Sequence, residues 1–340
     1  MIEHANEGAQ EPVSEQASNE PEDAKGGLAT PGTAAGDRRV ALHVGPWEDD
    51  NVLGALGGAP VELVGPDEAE AAVWLDYDPA SLGALLADHP HLRWIQLPMA
   101  GVESWLEAGV ITGDRTFTCG RGVYGEGVAE HALALVLAGA NHLHSHARAT
   151  TWRRDLSGSI RGQEVLIVGA GGIGQPLIRA LSSFDVSVTA VNRSGRPVEH
   201  ADQTVPFERL GEVWGHTWGV VIAAPLTPET RGLVDAEALA RMREDAWLVN
   251  VARGAHVDTD ALVRALAEGW IGGAALDVTD PEPLPDDHPL WREPRCLLTS
   301  HTSNPPHLRL RSLGQRLADN VRRYLAGEPL LGAVDPGRGY

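Results

Sequence analysis

The stretch VLIVGAGGIG, residues 165–174, restricts the architecture of this chain more than any other. A short apolar run of β type enters a loop in which Gly169, Gly171 and Gly174 hold the G-x-G-x-x-G positions. The first glycine permits a tight turn, the second lets the backbone approach a pyrophosphate, and the third lets a helix pack on the strand. Gly172 and Ile173 complete the loop, and the helix that follows aims its free N–H groups and positive dipole end at the phosphates. Pro176 falls in that helix's first turn, where a missing N–H costs little. A glycine turn alone is a weak signal; its surroundings make it specific. Further β-type runs follow at 186–191, 219–225, 246–251, 272–278 and 295–301, with helical patterns between them. Six strands of this kind predict a complete doubly wound dinucleotide-binding sheet.

Upstream, RVALHVG, VELVG, AVWLDY, LRWIQLP and RTFTCG are short β-type runs separated by helical patterns such as SLGALLADHP. They predict a second parallel sheet covered on both faces. GEGVAEHALALVLAGANHLHSHARATTW is apolar nearly all round, which marks a buried or interface helix. Near the end, Leu310, Leu313, Leu317, Val321, Tyr324 and Leu325 keep three-four spacing, with Arg309, Arg316, Asp319 and Arg323 largely on the wet side. This helix is expected to cross back to the first sheet.

Of 340 residues, 43% are hydrophobic, enough for two domains with real cores. Lys and Arg number 27 against 47 Asp and Glu, a formal charge of −20. Such a surface repels nucleic acid and anionic lipid, so any phosphate-bearing partner is met in a local site. Cys119 and Cys296 are too few for a disulfide framework or a thiolate metal site. Residues 1–37, acidic and without apolar periodicity, read as a disordered tail with no targeting signal. The longest apolar run, ALALVLAGA, is far short of a bilayer span. These features describe a soluble, cytoplasmic protein.

Ligands of an open α/β sheet bind outside the carboxyl ends of its strands. There the first strand presents the glycine loop, the second Asn192 and Arg193, and the third Pro225 to Thr227. The fourth presents Arg253, the fifth Asp277 with Glu282 beyond it, and the sixth His301. A cation, an acid and a histidine converging on a nicotinamide suit hydride transfer to a 2-oxo acid. Arg253 would clamp the carboxylate and polarise the carbonyl. His301 would protonate the alkoxide, with Glu282 holding the imidazole and stabilising its charged form. Singly, each of these residues reads as a solvated charge or a packed side chain; their shared placement distinguishes them.

The stretch VNRSGR, residues 191–196, qualifies the cofactor. Asn192 stands eighteen residues after Gly174, where an NAD-preferring chain carries an acid that holds the ribose hydroxyls. Asn192 removes the repulsion such an acid exerts on a 2′-phosphate, and Arg193, Ser194 and Arg196 offer donors to it. NADP(H) is the expected cofactor, with NAD(H) as the alternative.

The chain from residue 39 onward resembles the D-isomer-specific 2-hydroxyacid dehydrogenases. The stretches carrying the likeness are LRWIQLPMAGVESW, GVAEHALALVLA, RGQEVLIVGAGGIG, PLTPETRGLVD, LVNVARGAHVDTDAL, AALDVTDPEPLPDDHPLW and LLTSHTSN. The resemblance implies Arg253, Glu282 and His301 as catalytic residues, and substrate carboxylate binding by backbone N–H groups around Ala100, Gly101 and Val102. It also implies cofactor contacts at Ile173, Pro225, Val251, Ala252 and Asp277. The implied fold has two doubly wound α/β domains with a cleft between them. A Rossmann dinucleotide-binding domain, 142–304, is inserted in a flavodoxin-like substrate domain, 38–141 and 305–340. A homodimer through the helix near 126–140 is implied as well. Thr279, Ser300 and Met99 depart from the family's usual residues and bear on pocket shape.

The implied activity is reduction of a small 2-oxo acid, of glyoxylate or hydroxypyruvate type, to a D-2-hydroxy acid. The family also contains a phosphite dehydrogenase, so a phosphite- or phosphonate-type acceptor is an alternative. Glu beside the histidine, where formate dehydrogenases of this fold have Gln, argues against formate. A non-catalytic nucleotide-sensing module is a different class of reading, and turnover separates it from an enzyme. His142, His144 and His146 resemble a metal cluster, but only two share a helical face and no carboxylate supplies a third ligand, so no metal is expected. Trp152 either packs at an interface or reaches a partner's site, as a tryptophan does in some relatives.

Overall fold

In the computed structural model, which describes residues 38–337, each run upstream of the glycine loop forms a strand of one parallel sheet. Strands β1 (Val40–Gly45), β2 (Val61–Leu63), β3 (Ala71–Trp74), β4 (Trp94–Gln96) and β5 (Thr116–Thr118) lie in the order β2-β1-β3-β4-β5. Helices α1 (Asp50–Ala55), α2 (Pro79–Asp88) and α3 (Glu103–Glu107) connect them. Local chemistry sets these starts: the Asp49 carboxylate accepts from Asn51 and Val52 N–H, and Asp78 accepts from Ala80 N–H with Pro79 in the first turn.

The second series begins with α4 (Gly125–Ala140) and α5 (Leu143–Arg148). It continues through β6 (Glu164–Val168), α6 (Gly174–Leu181), β7 (Ser187–Asn192), β8 (Gln203–Pro206), β9 (Gly219–Ile222) and α7 (Ala236–Arg241). Then come β10 (Trp247–Asn250), α8 (Thr259–Glu268), β11 (Gly273–Leu276), β12 (Cys296–Leu298) and α9 (Pro306–Ala326). Its sheet is parallel, in the order β12-β11-β10-β9-β6-β7-β8. All six expected strands are present, and β8 is a seventh that the sequence did not announce. It is a four-residue edge strand paired with β7 and ending at Pro206, too short and too polar for a periodic signal. The connections run outward in opposite directions from β6 and β9, which are neighbours, so the crevice opens at the carboxyl ends of these two strands.

Strands β9, β10 and β11 are buried along their whole length, as central strands of a doubly covered sheet must be. Helix α4 lies on this sheet: Val128, Ala132, Leu135 and Val136 share a core with Val165, Ile167, Trp247 and Val249. The division at residue 141 drawn from the sequence leaves α4 with the first domain, whereas its buried face is on the second sheet. A helix apolar nearly all round gives no indication of which neighbour it covers. Helix α9 does return to the first sheet, where Leu313, Leu317 and Val321 pack with Val40, Leu42 and Val73. Its arginines are less wet than expected: Arg316 Nη1 donates to the Arg121 carbonyl at 3.1 Å, and Arg309 lies 5.2 Å from the centre of the Tyr77 ring. No helix among the described residues is long and apolar enough to cross a membrane. The acidic tail read at 1–37 lies outside the described residues.

Candidate active site

The glycine loop follows β6 directly. Gly169 has φ +103°, and a β-carbon there would meet the backbone of Ala223 and Ala224 on β9's exit. A β-carbon on Gly174 would overlap the Gly169 carbonyl, so helix and turn touch backbone to backbone. Gly171 differs: a β-carbon there meets nothing within 4 Å. That leaves room beside the backbone before the first turn of α6, the room a phosphate needs to approach a helix start.

At the end of β7, Asn192 shapes the turn. Its Oδ1 accepts from Ser194 N–H at 3.1 Å and its Nδ2 donates to the Arg196 carbonyl at 2.8 Å, with Gly195 at φ +67° closing the bend. Arg193, Ser194 and Arg196 are exposed, and neither guanidinium has an ion-pair partner among the described residues. The open glycine, the helix start and the two unspent cations fit a phosphorylated dinucleotide.

Arg253 follows β10 and is fixed from beneath by two residues that are 0% exposed, Asn250 and His256. Asn250 accepts from Ala252 N–H at 3.1 Å, and its Nδ2 donates to the Arg253 carbonyl at 2.8 Å. The same carbonyl receives His256 Nδ1 at 2.9 Å, while His256 Nε2 lies 3.3 Å from the Pro225 carbonyl. Burial holds the His256 pKa below its ordinary value, against its hydrogen bonds to Arg253 and Pro225, with the charges of Arg253 and Arg231 lowering it further. The Arg253 side chain then reaches the loop after β4. A β-carbon on Gly101 would overlap its Nη2 and press on Glu103 Oε2, and Arg253 Nε is 3.7 Å from Glu103 Oε1. In that loop the N–H groups of Ala100, Gly101 and Val102 have no intramolecular acceptor among the described residues. Tyr124 anchors it by donating to the Pro98 carbonyl at 2.5 Å, and Gly120 N–H donates to Met99 O at 2.6 Å.

His301 follows β12, which flanks β11 on the side opposite β10. Its Nδ1 lies 2.6 Å from Glu282 Oε1, and Glu282 Oε2 accepts from Thr279 N–H at 3.4 Å. The pair is half open to solvent, with side-chain exposures of 44% and 41%. His301 sits at φ +52°, a left-handed conformation uncommon for a residue with a side chain. Asp277 holds this loop. It is 1% exposed and accepts from Thr299 Oγ1 at 2.5 Å, Thr302 N–H at 2.9 Å and Ser303 N–H at 3.2 Å. Burial alone would raise its pKa; those hydrogen bonds and the charge of His131 outweigh it and bring the pKa below the ordinary carboxyl value.

Arg253 thus lies against Gly101, and His301 against Glu282. Of the expected cofactor contacts, Val251 and Ala252 are buried at 4% and 5%, Ile173 packs at the start of α6, and Pro225 is exposed with its carbonyl engaged by Thr230 Oγ1 at 2.8 Å. Asp277, expected in the same role, has its carboxylate turned inward onto the 299–303 loop. The sequence did not single out Asn250, His256, Glu103 or His131, whose Nε2 reaches Thr299 Oγ1 at 3.0 Å and Asp277 Oδ1 at 3.5 Å. Asn250 and Glu103 lie beside chosen residues, the one signal that could have found them; His131 is 168 residues from its partner. Thr279 bonds the Pro281 carbonyl at 2.9 Å, within its own loop. The three histidines near 142–146 do not share one helix. His142 is left-handed between α4 and α5, His144 is buried with its ring centre 4.9 Å from that of Trp247, and His146 bonds the Leu156 carbonyl. Trp152 is 86% exposed.

Comparison with known proteins bears on this arrangement. Residues 131–303, about half the chain, match the family model described as "D-isomer specific 2-hydroxyacid dehydrogenase, NAD binding domain". An uncharacterised protein of Corynebacterium melassecola is 41% identical over 74% of this chain and 84% of its own length. A glyoxylate reductase of Thermofilum pendens is 36% identical over 61% of this chain and 64% of that protein. The human glyoxylate reductase/hydroxypyruvate reductase is 37% identical over 48% of this chain and 50% of its own length. The match thus spans half to two-thirds of those two enzymes. Among solved structures, a D-isomer-specific 2-hydroxyacid dehydrogenase of Xanthobacter autotrophicus Py2, in complex with NADPH and MES, superposes with a TM-score of 0.75 at 29% identity. It covers 89% of this chain and 100% of that one. An NADPH-dependent glyoxylate/hydroxypyruvate reductase of Sinorhizobium meliloti gives 0.75 at 25% identity, over 89% and 100%. With a dinucleotide-binding sheet whose strand ends carry an arginine laid on the loop after β4 and a histidine–carboxylate pair, and with half its length matching the family, the chain belongs to the D-isomer-specific 2-hydroxyacid dehydrogenases, oxidoreductases that act on CH–OH donors.

Proposed function

We propose that this chain reduces a small 2-oxo acid, of glyoxylate or hydroxypyruvate type, to the D-2-hydroxy acid with NADP(H). The Arg253 guanidinium lying over Gly101, beside three unspent N–H groups, carries the reading. A guanidinium and adjacent amides form a planar receptor for a carboxylate, and the same cation polarises the neighbouring carbonyl. Ala100, Gly101 and Val102 orient the substrate, with Asn250 and His256 fixing the backbone from which Arg253 extends. Because Glu282 engages Nδ1 of His301, Nε2 is the nitrogen left to hold a proton for the carbonyl oxygen. Bound NADPH supplies the hydride that the carbonyl carbon accepts. Glu282 stabilises the imidazolium before transfer and keeps the ring oriented after it.

Arg193, Ser194 and Arg196 offer donors to the 2′-phosphate, and Asn192 holds their turn without placing an anion there. Gly169, Gly171, Gly172, Ile173 and Gly174 line the pyrophosphate side; Pro225, Val251, Ala252 and Asp277 belong to the nicotinamide side. The proposed division is a dinucleotide-binding domain, 142–304, inserted in a substrate domain, 38–141 and 305–340, except that α4 (Gly125–Ala140), which packs on the second sheet, goes with the dinucleotide-binding domain. A cytoplasmic location and a homodimer through the helix near 126–140 are proposed with it, the dimer in keeping with the exposed Trp152 and Leu143 beyond the end of α4.

The test is NADPH oxidation by the purified protein across a panel of 2-oxo acids. His301→Ala and Arg253→Ala should each lower kcat/KM at least 100-fold, on the usual scale for acid–base and charge-stabilising groups. Fluorescence titration should show NADPH affinity nearly unchanged in both. Loss of cofactor affinity in both variants would sink the role assignment, and no turnover of any 2-oxo acid would leave a nucleotide-binding module. Arg193→Ala should weaken NADPH by roughly tenfold or more while leaving NADH nearly unaffected, as expected for a charge-assisted phosphate contact. Equal losses for the two cofactors would show that this arginine does not read the phosphate.

A further inference from the structure

Glu103 lies against Arg253, the cation read above as the clamp for a substrate carboxylate. Its Oε1 is 3.7 Å from Arg253 Nε, and a β-carbon on Gly101 would touch both its Oε2 and Arg253 Nη2. Carboxylate and guanidinium therefore lie side by side over Gly101, in the loop where the N–H groups of Ala100, Gly101 and Val102 have no acceptor among the described residues. Arg253 has no other ion-pair partner among the described residues.

We propose that Glu103 is an internal carboxylate that pairs with Arg253 when substrate is absent and gives way to the substrate's carboxylate, so that this residue sets substrate affinity and disfavours dianionic acids. The proposal rests on the reading of Arg253 as the carboxylate clamp. Three physical points support it. The side chains of Arg253 and Glu103 are 36% and 50% exposed, so their pair is screened by water and readily broken. Glu103 opens α3, a five-residue helix at the surface, so its side chain leaves for solvent without disturbing a core. Displacing Glu103 from Arg253 leaves one negative charge close by. A monoanion faces that repulsion once; a dianion faces it with both groups.

Binding of substrate is thus an exchange of one carboxylate for another, with no net change in the charge paired to Arg253. The cost of the exchange appears in affinity, while the hydride and proton transfers involve other groups. Removing the charge at 103 should strengthen binding by the amount that an exposed ion pair is worth, a factor of about three to five.

The experiment compares the wild type with Glu103→Gln and Glu103→Asp, all loaded with NADPH. Isothermal calorimetry with oxamate, a monoanionic and non-reducible analogue of small 2-oxo acids, reads binding without turnover. Glu103→Gln should bind oxamate about three- to fivefold more tightly and lower the glyoxylate KM by a similar factor, with kcat changing less than KM. Oxalate, a dianion, should gain more than oxamate from the same substitution. Glu103→Asp keeps the charge and should stay nearer to the wild type. Equal oxamate affinity in wild type and Glu103→Gln, including no binding by either, overturns the exchange. So does a fall in kcat with KM unchanged, which would instead make Glu103 an orienting partner of Arg253. Because the calorimetry needs no turnover, a failure of the reductase reading is separate: it shows as no NADPH oxidation with any 2-oxo acid in any of the three forms.

Discussion

His256 is a completely buried imidazole with a carbonyl oxygen at each ring nitrogen, Arg253 O at 2.9 Å and Pro225 O at 3.3 Å. A neutral ring has one N–H, and the shorter contact takes it. A second proton would satisfy both carbonyls, yet burial opposes the charge and holds the pKa below 6.5. His144 behaves alike: burial first, then the charge of neighbouring His142, lowers its pKa, and its Nδ1 is buried without a partner among the described residues. Both pKa values are depressed on folding, so the unfolded chain takes up these protons first as the medium is acidified. Their contribution to stability is complete above pH 6.5 and is lost as pH falls from there through the lower folded values. The thermal midpoint should therefore drop between pH 7 and pH 5, and His256→Gln and His144→Phe should each flatten that drop. Scanning calorimetry at half-unit steps reads the slopes; slopes as steep as the wild type's in both variants would mean that other groups carry the acid sensitivity.

At the scale of elements, the strand ends were legible and their supports were not. Gly169, Arg253, Glu282 and His301 follow apolar β-type runs, three of them central strands and the last the edge strand β12, so their place at the carboxyl ends of one sheet could be read from pattern alone. Asp277 was legible as a position, but its structural ties were not. Its carboxylate ties the end of β11 to the backbone of Thr302 through Oδ1 and of Ser303 through Oδ2, and His131 of α4 reaches Oδ1 at 3.5 Å. That relation depends on packing between segments far apart in sequence, which no local spacing encodes. The left-handed His301 follows from the same strap: its own N–H is held at 2.8 Å by the Asp277 carbonyl while the next residues bend back to the side chain. Asp277 thus fixes the loop at three backbone N–H groups, and its buried charge is tolerated because every hydrogen bond reaches it from a fixed donor. Edge strand β8 and the allegiance of α4 escaped the sequence for the complementary reason. One has too few residues to show a period, and the other is apolar on too many faces to show a direction.

For the molecule as a whole, the chain passes between the two sheets twice, once from β5 to α4 and once from β12 to α9. The first passage bears directly on the dinucleotide loop. A β-carbon on Gly125, the first residue of α4, would overlap the carbonyl group of Gly172, and one on Gly172 would lie 3.3 Å from the α-carbon of Gly122. The glycine loop is thus pressed from behind by the segment that comes from the substrate-side sheet, so its shape depends on both halves of the molecule. Gly127, two residues further along the same helix, has ordinary room: a β-carbon there would be 3.7 Å from the Ser303 carbonyl. On helix propensity alone, alanine at either site should stabilise α4 by about 0.5–1 kcal/mol. Gly127→Ala should follow that rule. Gly125→Ala should reverse it, losing roughly 1–3 kcal/mol to overpacking against backbone, because neither carbonyl nor helix has a flexible end to yield. The displaced Gly172 should also weaken NADPH binding by tenfold or more while leaving oxamate affinity in the NADPH-saturated protein much less affected. Urea unfolding and NADPH fluorescence titration on the two variants decide the matter. If Gly125→Ala is as stable as Gly127→Ala and binds NADPH equally well, the first passage does not shape the loop.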